Sequence, residues 1–460
     1  MTARPLTRRS LIGSAAAGAV ALASGCSADS GRSSARGRKV VVVGAGMAGL
    51  GAARALREAG CRVVVVEARD RIGGRVHTVE WQGAPIDLGA AWIHDSRGNP
   101  LTAIAERAGL RTVPTAYDRI SLHQRDGRPI EGGTLERALG ARDSLVRRLY
   151  RLSWREGTRS LGPTLSRQID TRVRAGVDRA ALEWLLGVDV PLDWGADPGR
   201  ISIEGFGEGS SWRGGPDLLI EGGAGLLVDW LARDLPVRKG NPVRRIERFR
   251  RGVRVTLASG ETIGADGCVA TVPLGVLKAG KVRFEPALPE GHRQVISRLG
   301  FGLLDKTFLS YPSAWWGEGL TQIATAGFGV GKAISAFDLG PVTDRAILCG
   351  FTGAGFARAL EGGAGGGAKA VVTRRLRDGF GVQADPAAAL STGWAADRFA
   401  RGSYSFLAVG STSRDRAVLA APAGRLILAG EHTSTERPAT MDGALVAGRR
   451  AANRLLARLG

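Results

Sequence analysis

Hydrophobic positions along this chain are grouped in ways that separate buried strands from helices. Lys39–Val43 is apolar on both faces after its first residue, which predicts a strand inside a parallel sheet. The turn Gly44-Ala45-Gly46-Met47-Ala48-Gly49 follows without a break. Apolar residues then recur at helical spacing through Leu50, Ala53, Leu56 and Ala59, and the pattern stops at Gly60. A second apolar run, Arg62–Val66, ends at the acid Glu67. Further along, Leu226 and Leu227 open a helix after Glu221-Gly222-Gly223, and 253–255 and 261–263 read as a β-meander after Asn241-Pro242-Val243. Strands are predicted over 306–311 and 346–351, a flexible loop over 362–367 and a helix over 368–379. Tyr404 and Phe406, two apart on a predicted strand, should face one way. The strand Leu426–Leu428 and a helix running to Leu459 close the chain.

The N-terminus follows a different pattern. Thr7-Arg8-Arg9-Ser10-Leu11-Ile12 reads as a twin-arginine signal, and the weakly apolar stretch 11–23 after it is too short to span a bilayer. Ala21-Leu22-Ala23 offers a cleavage site, and Ala23-Ser24-Gly25-Cys26 offers a lipoprotein box that would place lipid on Cys26. The expectation is export by the twin-arginine route, to a secreted or lipid-anchored position on the outer face of the cytoplasmic membrane. That route carries folded proteins, so it favours a chain that binds its cofactor before leaving. Residues 1–36 are therefore read as signal and linker, outside the fold.

Composition changes this picture little. A chain of 460 residues is long enough for two domains with sizeable cores. The net charge of +21 comes from arginine used throughout. No basic run is interleaved with aromatic residues, so nucleic acid is not an expected partner. Cys61, Cys268 and Cys349 are widely spaced in or beside apolar runs and read as buried free thiols. With five histidines and no CxxC, no metal site is expected.

The strand, glycine turn, helix and second strand make a complete dinucleotide-binding unit. Gly44 permits the tight turn, Gly46 lets the backbone approach a pyrophosphate, and Gly49 lets helix and strand pack closely. The pyrophosphate belongs at the helix N-terminus beside Ala48, where free N–H groups and the dipole favour negative charge. Glu67, 18 residues after Gly49, is placed to accept hydrogen bonds from ribose hydroxyls. The run Glu67-Ala68-Arg69-Asp70-Arg71-Ile72-Gly73-Gly74-Arg75 then decides between NAD and FAD. It resembles the second fingerprint of glutathione-reductase-type FAD proteins, with Gly74 in a turn against the cofactor and Arg69 and Arg75 as cations near its diphosphate.

Further runs carry a resemblance to the flavin amine oxidases from Lys39 to the C-terminus. Asp87-Leu88-Gly89-Ala90-Ala91-Trp92-Ile93-His94 and Gly98-Asn99-Pro100-Leu101 resemble segments of polyamine oxidases. Gly430-Glu431-His432-Thr433 with Pro438-Ala439-Thr440-Met441-Asp442-Gly443-Ala444 resembles polyamine oxidases and lysine-specific histone demethylases. The resemblance implies that Ala91, Trp92, Val243, Glu431, Thr440 and Met441 contact FAD, with Asp442 standing where the family often has His. It implies noncovalent FAD, because no Cys follows Cys349. Gly300-Phe301-Gly302-Leu303-Leu304-Asp305-Lys306 resembles the run whose lysine holds a water at the flavin, which makes Lys306 the catalytic candidate. Strand geometry turns Asp305 to the opposite face.

The fold implied is α/β, α+β overall. A Rossmann-type FAD domain built from 37–115, 216–285 and 395–460 is interleaved with a mixed-sheet-plus-helices substrate domain built from 116–215 and 286–394. The activity implied is oxidation of a C–N bond in an amine, a polyamine foremost, by hydride transfer to the flavin, imine hydrolysis and reduction of oxygen to hydrogen peroxide. Tyr404 and Phe406 either form an aromatic wall beside the flavin or pack in the core. His94 and Asp95 should flank the substrate channel, and Asp189 and Asp193 either stand solvated or meet a distal ammonium. Three readings compete: an L-amino-acid oxidase, which needs an arginine clamp for a carboxylate; a flavin-binding protein without turnover, against which Lys306 argues; and a nucleic-acid-associated demethylase, suggested by the charge and the C-terminal motifs, against which the export signal and the lack of a coiled-coil insertion argue.

Overall fold

The computed structural model describes residues 35–460 except Glu318, and the twin-arginine and lipoprotein motifs lie outside the described residues. A five-stranded parallel sheet runs in the order Leu426–Leu428, Gly267–Ala270, Lys39–Val43, Arg62–Val66, Val237–Arg238. The unbroken valine run has a direct physical cause. Val40 and Val42 point into one core, among the helices Met47–Glu58, Gly225–Ala232 and Met441–Leu459. Val41 and Val43 point into another, against the four-stranded meander sheet of 243–285. Both faces of the strand are covered, so neither can be polar.

Glycine sets the closest helix contact. Gly448 of the last helix lies so near the first that a Cβ there would come within 1.9 Å of the Ala48 carbonyl oxygen. The last helix and the dinucleotide helix are therefore locked side by side, which aims both of their N-termini at one place.

A second sheet has six strands in the order Ala388–Ser391, Leu304–Ser310, Ile347–Gly353, Ser335–Asp338, Gln322–Thr325, Ile120–His123. It is antiparallel except at Gln322–Thr325 with Ile120–His123. The strand Ile120–His123 thus comes from a part of the chain two hundred residues before its neighbour. Between them in sequence lie the helices Gly132–Glu156, Leu161–Arg174 and Arg179–Gly187, with an apolar core of their own. The expected flexible loop over 362–367 is instead structured: Ala364–Gly366 forms a 3-10 turn whose glycines adopt positive φ. Glycine accounts for both the expectation and the outcome, since it loosens a sequence pattern and equally permits a tight turn. Cys61, Cys268 and Cys349 are free and buried. No helix among the described residues is long and apolar enough to cross a membrane.

Candidate functional site

A cavity of about 840 Å³ runs from the glycine turn to the six-stranded sheet. Its first end is built by backbone. Gly44, Gly46, Ala48, Gly73 and Gly74 line it, with Gly44 and Gly74 at φ of 101° and 61°, a conformation that side-chain-bearing residues rarely adopt. The helix Met47–Glu58 has neither a side-chain cap nor an acid in its first turn, so its N–H groups remain available to an anion. Buried Glu67 accepts hydrogen bonds from Ala45 N at 2.7 Å and Arg69 N at 2.9 Å, which ties the glycine turn to the end of the second strand. Val243 and Met441 also line this cradle. Its bare backbone, open helix terminus and single acid fit a dinucleotide.

Of two residues expected at the cofactor, one keeps only its packing role and the other is engaged elsewhere. Gly49 is not on the cavity wall: a Cβ there would sit 1.8 Å from the Gly44 carbonyl oxygen, so its role is the close approach of helix to turn. Arg69 lines the cavity, but its guanidinium is held bidentately by Asp397 at 2.9 and 2.7 Å, and its charge is largely neutralised there. Arg75 donates to the Ser403 carbonyl at 2.7 Å and to Glu431 at 2.9 Å. Burial alone would raise the Glu431 pKa. Arg75, His432, the Ser405 hydroxyl and Arg416 more than offset that and hold it at about 2, so Glu431 is a permanent anion on the cavity wall.

The last helix delivers the next part. Thr440 caps it, its hydroxyl accepting from Gly443 N at 2.9 Å, and Thr440 and Met441 both face the cavity. Asp442 turns away into a buried network, accepting from Trp212 and Arg437 at 2.8 Å each. Arg437 also binds Asp95 at 2.6 Å. The expectation that Asp95 flanks the channel is thereby corrected, because its carboxylate is buried against Arg437.

Lys306 stands where the two ends of the cavity meet. It is buried, and its Nζ donates to the carbonyl oxygens of Asp87 and Gly89 at 2.7 Å each. It lies 5.4 Å from the Trp92 ring centre and 5.5 Å from that of Phe351. Burial lowers its pKa, opposed by Cys349 and Asp87. Asp305 does face the other way. It accepts from Thr392 Oγ1 at 2.7 Å and Trp394 N at 3.1 Å, and so holds the Trp394 segment against the cavity. Burial, with Glu361 beside it, pushes the Asp305 pKa up to about 8.

That shift predicts a pH dependence. The folded pKa lies above the ordinary carboxyl value of 3.8, so the folded state holds the proton more tightly, and stability falls as pH rises from about 4 through about 8. Asp305→Asn mimics the protonated form and should escape this loss. Its advantage in melting temperature over the parent should be small near pH 5 and grow by several degrees towards pH 9. An equal difference at both pH values would mean that Asp305 does not titrate in this range.

The far end of the cavity is aromatic. Ala91 and Trp92 line it, Trp92 and Phe337 meet edge to face at 5.7 Å, and Phe337 meets Phe351 and Tyr117 at 5.4 and 6.1 Å. Tyr404 also lines the cavity, its hydroxyl donating to the Leu192 carbonyl at 2.8 Å. Phe406 does not, which corrects the paired wall. Its ring is fully buried against Gly300, where a Cβ would come within 2.3 Å of it, and it belongs to the helical core. The strand there spans only Ser405–Phe406, too short for a shared face to extend back to Tyr404. Phe337, Phe351 and Tyr117 were not identified from sequence, because their common direction depends on the order of strands within the sheet.

The polar groups at this end are mostly engaged with one another. His94 Nδ1 lies 2.6 Å from Asp217, which also accepts from Asp95 N and the Tyr117 hydroxyl at 3.0 Å each. Asp189 is buried and bound by Arg142 through two contacts of 2.5 Å, so it is neither solvated nor open to a distal ammonium. Asp193 is exposed and lines the cavity.

Comparison with known proteins agrees with this geometry. The family profile described as flavin containing amine oxidoreductase matches residues 47–193 and 198–456. Lysine-specific histone demethylase 1 homolog 3 of Oryza sativa subsp. indica is 34% identical over 445 residues, covering 91% of this chain and 54% of that protein. Polyamine oxidase 2 of Arabidopsis thaliana is 30% identical over 447 residues, covering 92% of this chain and 90% of that protein. The chain therefore spans about half the length of the demethylase relative and nearly all of the polyamine oxidase. Wild-type putrescine oxidase bound to putrescine has the same fold, with a TM-score of 0.78 at 24% identity over 92% of this chain and 99% of that one.

Proposed function

Since this chain belongs to the flavin containing amine oxidoreductases, we propose that it is an FAD-dependent oxidase of small amines, with di- or polyamines ahead of monoamines and amino acids. The observation that carries the substrate class is Arg142. It lines the same cavity as Trp92, Tyr117 and Phe337, and its two bonds to Asp189 and one to Asp143 leave it no free fork for a substrate carboxylate. Asp193 and Asp217 add negative charge to the same walls. An ammonium group is the better match.

Bound FAD supplies the hydride acceptor and passes the electrons to oxygen as peroxide. The protein's residues do the rest. Trp92, Tyr117, Phe337 and Phe351 surround the substrate with apolar surface, which disfavours its ammonium form and favours the neutral amine that donates a hydride. Lys306, with two N–H groups given to carbonyls, keeps a third to hold a water and places positive charge beside the reacting centre. Electrostatic attraction among these parts is local. At long range a chain of +21 repels a polycation, so capture should speed up with added salt.

Peroxide release from the flavin-loaded protein should be measured across putrescine, spermidine, spermine, simple monoamines, L-amino acids and a peptide carrying methyl-lysine. The expected order has polyamines first, with kcat/KM rising with ionic strength. If L-amino acids reduce the flavin and the polyamines do not, the reading is wrong. If the methylated peptide alone is oxidised, the demethylase likeness takes its place.

The cofactor should leave the chain as FAD on acid denaturation. Glu67→Ala removes a charged acceptor from two backbone donors and from the expected ribose contact, each worth about 1.5–3 kcal/mol. Flavin occupancy after dialysis should fall at least tenfold. Occupancy equal to the parent's would rule out this placement of the ribose.

A further inference from the structure

Among the described residues, four arginines are more than nine-tenths buried: Arg142, Arg375, Arg416 and Arg437. Three of them meet carboxylates, Arg142 at Asp189, Arg416 at Glu208 and Arg437 at Asp95 and Asp442. Arg375 meets none. One of its N–H groups goes to the Lys332 carbonyl, and its guanidinium lies 3.7 Å from the Phe328 ring centre and 4.9 Å from that of Phe356. The rings stabilise the cation in part. They do not supply a counter-charge, and a buried cation without one is costly.

Arg375 lines a second cavity of about 450 Å³ that shares no wall residue with the first. Arg125, Lys332 and Arg374 line it too, all exposed, and Asp378 is its single acid. Arg125 also sits 4.8 Å from the Phe328 ring centre. The cleft thus collects four cations, one anion and two aromatic rings, and one of the cations is the buried Arg375. Burial first, then Arg125 and Arg374, bring the Arg375 pKa down to about 10, so it stays charged at neutral pH.

We propose that this cleft is a binding site for a small oxyanion, a phosphate or carboxylate carried on a flat apolar body, which supplies the counter-charge that Arg375 lacks. A guanidinium presents paired N–H donors that match either group, and Phe328 and Phe356 offer flat surface for the body. The site is separate from amine oxidation and stands whether or not the substrate reading holds.

Calorimetric titration of the flavin-loaded protein with phenyl phosphate, benzoate and inorganic phosphate, at matched ionic strength, tests it. At least one should bind saturably at one site per chain, and comparing the three distinguishes phosphate from carboxylate and the group from its body. In Arg125→Ala/Arg374→Ala, two exposed changes that leave Arg375 in place, affinity should drop at least tenfold while flavin absorbance and amine turnover stay at parent values. Arg250→Ala/Arg251→Ala, an equal loss of charge on an exposed turn elsewhere, should bind like the parent. No saturable binding of any of the three, or an equal loss in both double variants, overturns the proposal.

Discussion

Arg416→Met should cost about 3–5 kcal/mol of stability, the amount expected when one partner of a buried ion pair is removed. Arg416 is wholly buried, and its Nε and Nη2 meet the two oxygens of Glu208 at 2.5 and 2.8 Å. Its Nη1 donates to the Ser405 hydroxyl at 2.7 Å. Ser405 in turn donates to Glu431 at 2.6 Å, and Glu431 is bound by Arg75. One chain of charge-assisted contacts therefore joins segments near 75, 208, 405, 416 and 431. Removing Arg416 strips the buried Glu208 of both contacts to that guanidinium, which is the costly state. Removing both charges should be milder, so Arg416→Met/Glu208→Leu should be more stable than Arg416→Met alone. Denaturant unfolding with the flavin bound measures all three. A loss under about 1 kcal/mol for the single variant, or a double variant worse than the single, would show that this pair does not carry the load assigned to it.

Lys306→Met should leave the protein yellow and slow its chemistry by about 10²-fold or more, the usual effect of deleting one preorganised donor from a reacting centre. The substitution conserves length and apolar bulk among Trp92 and Phe351. It also strips the donor from the Asp87 and Gly89 carbonyls, so a stability loss of about 1–3 kcal/mol should accompany it. Stopped-flow absorbance separates flavin reduction by amine from reoxidation by oxygen. If both ran at the parent rate in a correctly folded variant, Lys306 would be a structural residue that ties the Asp87–Gly89 turn to the sheet.

The dinucleotide unit was legible because everything it needs is local. Val40 to Val43 are apolar since both faces of their strand are covered, and Glu67 sits at the end of the adjacent strand. Gly49 is required by a carbonyl five residues away. Lys306, Glu431, Thr440 and Met441 came from motifs in short runs, and all four line one cavity.

What sequence left open was partnership. Arg69 looked like a phosphate ligand until Asp397, 328 residues away, was found holding it. Asp95 reads as a channel-flanking acid and Asp189 as one that could meet an ammonium, yet Arg437 and Arg142 bind them. Phe406 and Tyr404 share a periodicity but not an environment, and Phe337, Phe351 and Tyr117 converge only because strand order brings them together. The physical reason is common to all of these. Periodicity and turn chemistry are set by each residue's own backbone and near neighbours, so a single chain displays them. The free charge of a side chain, or the face an aromatic ring presents, is set by whichever distant group packs against it, and only the folded chain selects that group.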